Sequence, residues 1–283
     1  MKRLLVIIIA LISICACKKD QSISREVAKI DVDLTVERFD RIFAEANPSD
    51  LPELKQAYPF LFSGKFPDSL WIAKMQDTLQ QQLSSETNKV FSDFKSTGSD
   101  IKQLFQHLKF YFPEFKTPRV ITVTSNVDYR NKVIVTDSIV LIALDTYLGS
   151  DHEFYKGIQQ YLVQNFKTDQ IIPDMAAEYA KKYSFQQERR TFLDEMIYFG
   201  KLLYFKDRVV PLNLDASKIG YTQSQLEWAN ENEAEIWRYF VEKELLFSTN
   251  QDLISRFINP APFSKFYLEL DSESPGRIGQ YLG

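Results

Sequence analysis

Apolar positions change their spacing along this chain, and each change predicts an element. Leu4 to Ala16 is an unbroken apolar or small run, preceded by Lys2 and Arg3 and followed by Lys18, Lys19 and Asp20. Val27, Ile30, Val32, Leu34 and Val36 then predict one extended strand from Ala28 to Glu37, with period-two alternation in its second half. Arg38 to Ala46 reads as a short helix stopped by Pro48. Leu51 to Phe62 reads as a helix entered at Pro52 and ended before Pro59. Ile72, Met75, Leu79 and Leu83 recur at helical spacing, and Val90, Phe91 and Phe94 resume it. One long helix from Ser69 to Phe94, capped by Asp68, is therefore expected. Ser99 opens another, with Ile101, Leu104, Phe105 and Leu108 on one face and Pro113 as its stop.

From Pro118 to Leu148 the pattern is that of strands. Val120, Ile121 and Val123 mix with Thr122 and Thr124, Asn126 to Asn131 supplies turn residues, and Lys132–Thr136 and Ser138–Leu144 are rich in Val and Ile. A three-stranded antiparallel meander follows from this. Its last strand is apolar on both faces and so should be central and covered by helices, with Asp145 at its end. Helices are expected at His152–Gln164, Pro173–Lys182 and Phe185–Phe205. The third is apolar on most sides, hence buried, yet it carries Asp194 and Glu195. Thr222 and Gln225 form a capping box for a helix running to Phe247, and Gln251–Ile258 makes one more. Pro275-Gly276 followed by a fresh apolar pattern looks like the start of another helix, so the chain is expected to be cut short of a natural C-terminus.

The first run has a function of its own. A membrane-spanning helix needs about 20 apolar residues, and Leu4 to Ala16 is shorter. Cations before it and Ile14-Cys15-Ala16-Cys17 at its end make the order of a signal peptide. This ending resembles the bacterial lipobox, which implies cleavage after Ala16 and a lipid-bearing Cys17. Several fatty acyl chains such as palmitate, at about 0.8 kcal/mol per buried methylene, hold such a protein firmly at a membrane. Residues 1–16 are thus expected to be the signal, 17–24 a lipidated tether, and 25–283 a single domain. That domain should be mainly helical α+β with a small, mostly antiparallel sheet.

Composition narrows the chemistry. The 283 residues carry a formal net charge of −4, so no basic footprint for nucleic acid exists. Cys15 and Cys17 are the only cysteines, which removes thiol catalysis and disulfides from the mature domain. His107 and His152 are the only histidines and lie far apart, which argues against an imidazole-based zinc site. His107 reads as a boundary residue of an amphipathic helix, His152 as an exposed loop residue. No cofactor is called for. Asp194 and Glu195 are neighbours about 100° apart on a helix, so one is expected to pair with Arg189, Arg190 or Arg277. Glu227, Glu231 and Glu235, four apart, read as a solvated face. Gly279 and Gly283, also four apart, would allow close helix packing.

Cys17, the Asp194-Glu195 pair, Asn230-Glu231-Asn232-Glu233-Ala234-Glu235-Ile236-Trp237 and the ending Ser274 to Gly283 together resemble the gliding-motility lipoprotein GldB family. The resemblance implies a non-enzymatic lipoprotein of the gliding and type IX secretion machinery, anchored at the outer membrane and facing the periplasm. It also implies partners within that machinery, GldC included. A more distant likeness, to zincin-type metallopeptidases, sets Asp194-Glu195-Met196-Ile197-Tyr198 where two histidines and a glutamate would stand, with Glu231 or Glu235 as the third ligand. The expectation is a peptidase-like scaffold whose site is dead. An unusual metallohydrolase acting on envelope peptides is the alternative.

Overall fold

A computed structural model describes residues 23–268 and 271–283. The signal, Cys17 and most of the tether lie outside the described residues. Helical residues 23–28 (α1) open the described chain, so the tether's last residues are already helical. The expected strand from Ala28 is reduced to β1, Val36–Glu37. Helices α2 (Phe39–Glu45), α3 (Leu51–Ala57), α4 (Asp68–Met75), α5 (Thr78–Val90) and α6 (Lys95–Tyr111) follow. The single long helix expected over Ser69–Phe94 is thus broken, because the Asp77 carboxylate accepts from Gln80 N at 2.9 Å and starts α5 afresh.

Strands β2 (Arg119–Val123), β3 (Val133–Val135) and β4 (Ile139–Ala143) join β1 in a four-stranded sheet of order β1-β2-β4-β3. The antiparallel meander is corrected here. Only β3 and β4 are antiparallel; β1–β2 and β2–β4 are parallel, with Val120 beside Val140 and Val123 beside Ala143. The reason is local. After β2 the chain crosses over the end of β4, where the fully buried Asp145 carboxylate accepts from Ser125 N at 2.9 Å and from Val127 N at 2.7 Å. Asn126 and Val127 both adopt φ of 58° there. The crossing puts β3 on the far side and lets β4 insert between its predecessors.

β4 is central, as its pattern predicts. Val140 and Ile142 face a core built on α6 and α8, with Phe105, Leu108 and Tyr179. Ile139 and Leu141 face the opposite core, made by α2, α3 and α4 with Phe39, Phe43 and Leu54. Alternate residues therefore enter two different cores, which is why no polar position survives in the strand.

The second half is helical: α7 (Gln160–Val163), α8 (Ile171–Tyr183), α9 (Phe192–Val209), α10 (Asp215–Ile219), α11 (Gln223–Glu242), α12 (Asp252–Phe257) and α13 (Ile278–Leu282). The expected helix from His152 gives way to a 3-10 turn at Glu153–Tyr155 and then Gly157 at φ 91°, which leaves only the short α7. His152 does stand in a loop at the start of a helical turn, but it is half-buried and not exposed; its ring accepts from Phe154 N at 3.2 Å and caps that turn. α9 starts seven residues later than its apolar pattern alone suggests. α11 ends at Glu242, short of Phe247, with Glu244 at φ 54° just beyond. A third core, around Phe192, Phe240, Phe257 and Ile278, joins α9, α11, α12 and α13. α13 and α9 meet closely: a Cβ on Gly200 would lie 2.0 Å from the Gly283 carbonyl carbon, and one on Gly279 would lie 3.2 Å from Phe192 Cζ.

Candidate functional site

The residues singled out in the sequence do not gather at one centre. Thr191 and Asp194 form a capping box at the start of α9, with the Asp194 carboxylate accepting from Thr191 N at 2.9 Å and from Arg190 N at 3.1 Å. Those bonds, Thr191's first, hold its carboxyl below the usual aspartate range. Glu195, one residue on, is buried and takes Arg189 as a two-pronged partner, Arg189 Nε donating to Oε1 at 2.9 Å and the second nitrogen to Oε2. The same guanidinium lies 3.9 Å from the Tyr198 ring centroid. Asp194, Glu195 and Tyr198 thus make a helix cap and an arginine clamp. Of the three arginines considered as partners for this pair, Arg189 is the one used.

Glu227, Glu231 and Glu235 are exposed on α11, and Glu235 pairs with Arg238 at 2.6 Å. No group of three or more His, Cys, Asp or Glu side chains among the described residues is placed to hold a metal ion.

Arg277 stands elsewhere. It helps line a half-open cavity of about 360 Å³ between the sheet-facing core and the C-terminal core, lined by residues of the approach to β3, α8, α9, α10 and the turn before α13. Five cations line it: Lys132, Lys181, Lys206, Lys218 and Arg277; Asp174 is its one carboxylate. Three of the cations are neutralised. Lys132 pairs with Asp174, which also accepts from Tyr147 Oη at 2.9 Å. Lys181 pairs with Glu178, and Lys218 with Asp207 and Asp215, each at 2.9 Å.

Lys206 and Arg277 have no carboxylate partner among the described residues. Lys206 Nζ donates to the Lys218 carbonyl, and Arg277 Nη1 donates to the Ile219 carbonyl at 2.7 Å. These are consecutive carbonyls at the C-terminal end of α10, so the two cations lie side by side. Burial, aided by the Arg277 charge and opposed by Asp174, lowers the Lys206 ammonium to about 8. Burial likewise lowers the Arg277 guanidinium. Arg277 is enclosed by protein yet keeps surface facing the cavities it lines.

Local backbone chemistry makes this possible. Gly220, at φ 80°, ends α10, and a Cβ there would sit 2.5 Å from Arg277 Nη1. Arg277 itself is at φ 60°, a conformation a branched-off side chain tolerates only when its surroundings hold it. They do: Tyr221 Oη donates to the Gly276 carbonyl at 2.6 Å and Ser264 Oγ to the Pro275 carbonyl at 2.7 Å. Sequence reasoning reached Arg277 but missed Lys206, Lys132 and Asp174. The available signal was the register of α9, where Lys206 follows Phe199 and Leu202 on the inward stripe.

Fold and cavity together define a predominantly helical α+β protein with a small mixed sheet and a half-open basic pocket. The sequence model of the family described as gliding motility protein GldB matches residues 20–283, and the chain belongs to that family of lipoproteins. Involvement in gliding motility and association with the cell envelope follow from this membership. No helix among the described residues is long and apolar enough to cross a membrane. No curated protein matches the chain. No solved structure matches it either.

Proposed function

We propose that the protein is a lipid-tethered scaffold or assembly component of the gliding and type IX secretion machinery, held at the outer membrane on its periplasmic side. It acts by contact with other proteins of that machinery, GldC among them, and not by turnover. The observation that carries this reading is the fate of the peptidase-like positions. Glu195 and Tyr198 are engaged by Arg189, and Asp194 is engaged by backbone N–H groups, so none is free to hold a metal or activate water. Family membership and the Ile14 to Cys17 ending support the rest.

The tether bears on how such a component works. From Cys17 to residue 23, even a fully extended chain spans only about 20 Å. The folded body is therefore held close to the bilayer, and its partners must meet it there. In a gliding host lacking the gene, the Glu231→Gln/Glu235→Gln double variant, changed only at exposed positions, should restore motility and secretion at normal protein level. A Cys17→Ala variant should not. Loss of function in the first, with the protein present, would point to the metallohydrolase alternative, and restoration by the second would show the anchor to be dispensable. Crosslinking in intact cells identifies the neighbours.

A further inference from the structure

We propose that the half-open cavity beside α10 binds a phosphate monoester, with Lys206 and Arg277 as the cations that recognise its phosphate group. Four charged groups in the cavity wall or behind it are matched in pairs, Lys132 with Asp174 and Lys181 with Glu178, and Lys218 has two carboxylates of its own. Lys206 and Arg277 remain, adjacent and unmatched. Lys206 is buried and Arg277 half-buried, and the carboxylate that acts on both, Asp174, is already paired with Lys132, so the two cations stay short of negative charge unless something anionic joins them.

Capping of α10 does not account for them. Cations do favour a helix C-terminus, but α10 has only five residues, and neutral donors serve the next carbonyl: Asn165 Nδ2 and Gln164 Nε2 donate to Gly220 O at 2.9 and 3.2 Å. Each charged group also keeps unused donors. Lys206 offers the rest of its ammonium, and Arg277 has Nε and Nη2 without a protein partner among the described residues. A guanidinium fork beside an ammonium suits a tetrahedral anion.

Charge and size choose the ligand. A carboxylate would leave one of the two cations unmatched, whereas a phosphate monoester carries about −1.5 to −2 near neutrality. The cavity is several times larger than a phosphate group and falls in the range of small-molecule sites. Leu162, Phe166, Phe199 and Leu203 give it apolar wall for an organic remainder. Gln170, also in the wall and 3% exposed, leaves its Oε1 without a donor, an acceptor that a ligand hydroxyl would satisfy. The phosphate could be carried by a soluble ester or by a lipid headgroup; the recognition chemistry is the same.

The test is titration calorimetry on the lipidated full chain in a neutral, phosphate-free detergent. Glycerol 3-phosphate is the soluble probe, dihexanoyl phosphatidic acid the lipid probe, and acetate the carboxylate control. Saturable binding of at least one phosphate probe is expected, at least tenfold tighter than acetate. Tighter binding of the first probe assigns a soluble ester, and tighter binding of the second a lipid headgroup. Lys206→Met and Arg277→Gln should each weaken it at least tenfold. Lys206→Met keeps the fold readable, because its melting point is measured alongside. Affinity should rise from pH 6 to 7.5 as the ester takes its second charge, then fall above pH 8 as Lys206 loses its proton. Asp174 and Lys181 from α8, Lys132, Lys218 and Arg277 face that ammonium, so the same pH series is run on Lys206→Met, in which the fall above pH 8 should be absent. No saturable binding of either phosphate probe, acetate binding as tightly, or undiminished binding in a folded Lys206→Met protein would each overturn the proposal.

Discussion

Replacing Lys206 with methionine should make the protein more stable at pH 7, although it deletes a hydrogen bond. The side chain is 8% exposed, so solvent screens it little. Burial lowers its ammonium from the usual 10.5 to about 8. The unfolded chain therefore holds this proton more tightly than the folded protein does. Stability rises with pH between about 8 and 10.5 and is lost as pH falls through 8. At pH 7 the charged form costs about 3 kcal/mol. Methionine matches the lysine stem in length and packs well, but it leaves the Lys218 carbonyl without this donor, a loss of about 1–2 kcal/mol. A net gain of about 1–2 kcal/mol remains, which for a chain of this size raises the melting temperature by about 2–4 °C. The assay is thermal unfolding followed by circular dichroism at pH 7 and pH 10. At pH 10 the wild-type lysine is mostly neutral in the folded state, so the variant's advantage should vanish or reverse. A variant less stable than wild type by the same margin at both pH values would refute the reasoning, since it would mean that the ammonium is well solvated or paired.

Other substitutions test other parts of the account. Glu195→Gln removes the charge that Arg189 grips from the first turn of α9 and should lose about 1–3 kcal/mol in urea unfolding, with no effect of added zinc on the transition. Asp145→Asn keeps an oxygen for the Ser125 N and Val127 N bonds but turns an NH2 group toward Ser125 N and Oγ, from which the other carboxylate oxygen accepts at 3.0 and 3.3 Å; about 1–3 kcal/mol should be lost, and hydrogen exchange should accelerate first in β3. Gly220→Ala meets both a left-handed backbone and the Arg277 guanidinium at 2.5 Å, so it should cost about 1–2 kcal/mol and abolish phosphate-ester binding while far-ultraviolet circular dichroism stays unchanged.

Much of the fold was legible where a single element sees a single environment. β4 has no polar position, and it lies between two cores. The capping boxes at Thr222 and around Asp194 act within four residues, so spacing reveals one and explains the other. What spacing could not show was geometry fixed across the chain. The parallel pairing of β2 with β4 depends on Asp145 catching a loop some twenty residues earlier in sequence. The break between α4 and α5 depends on Asp77 favouring a cap over continuation, which an apolar stripe running through both helices conceals. The pocket was least legible. Lys206 reads as one more cation near a helix end, and Arg277 as a partner for a carboxylate. Their meeting depends on Gly220 clearing room and on a strained backbone at residue 277.

That last dependence sets an order of events. Lys206 is in place once α9 and α10 have packed, but its companion arrives with the segment that lies between Ser264 and Tyr221, near the end of the described chain. Until that segment docks, the recess has one of its two unmatched cations and lacks one wall. Competence to hold an anion then reports on finished folding: a partly collapsed chain lacks the second cation and would hold a phosphate group weakly.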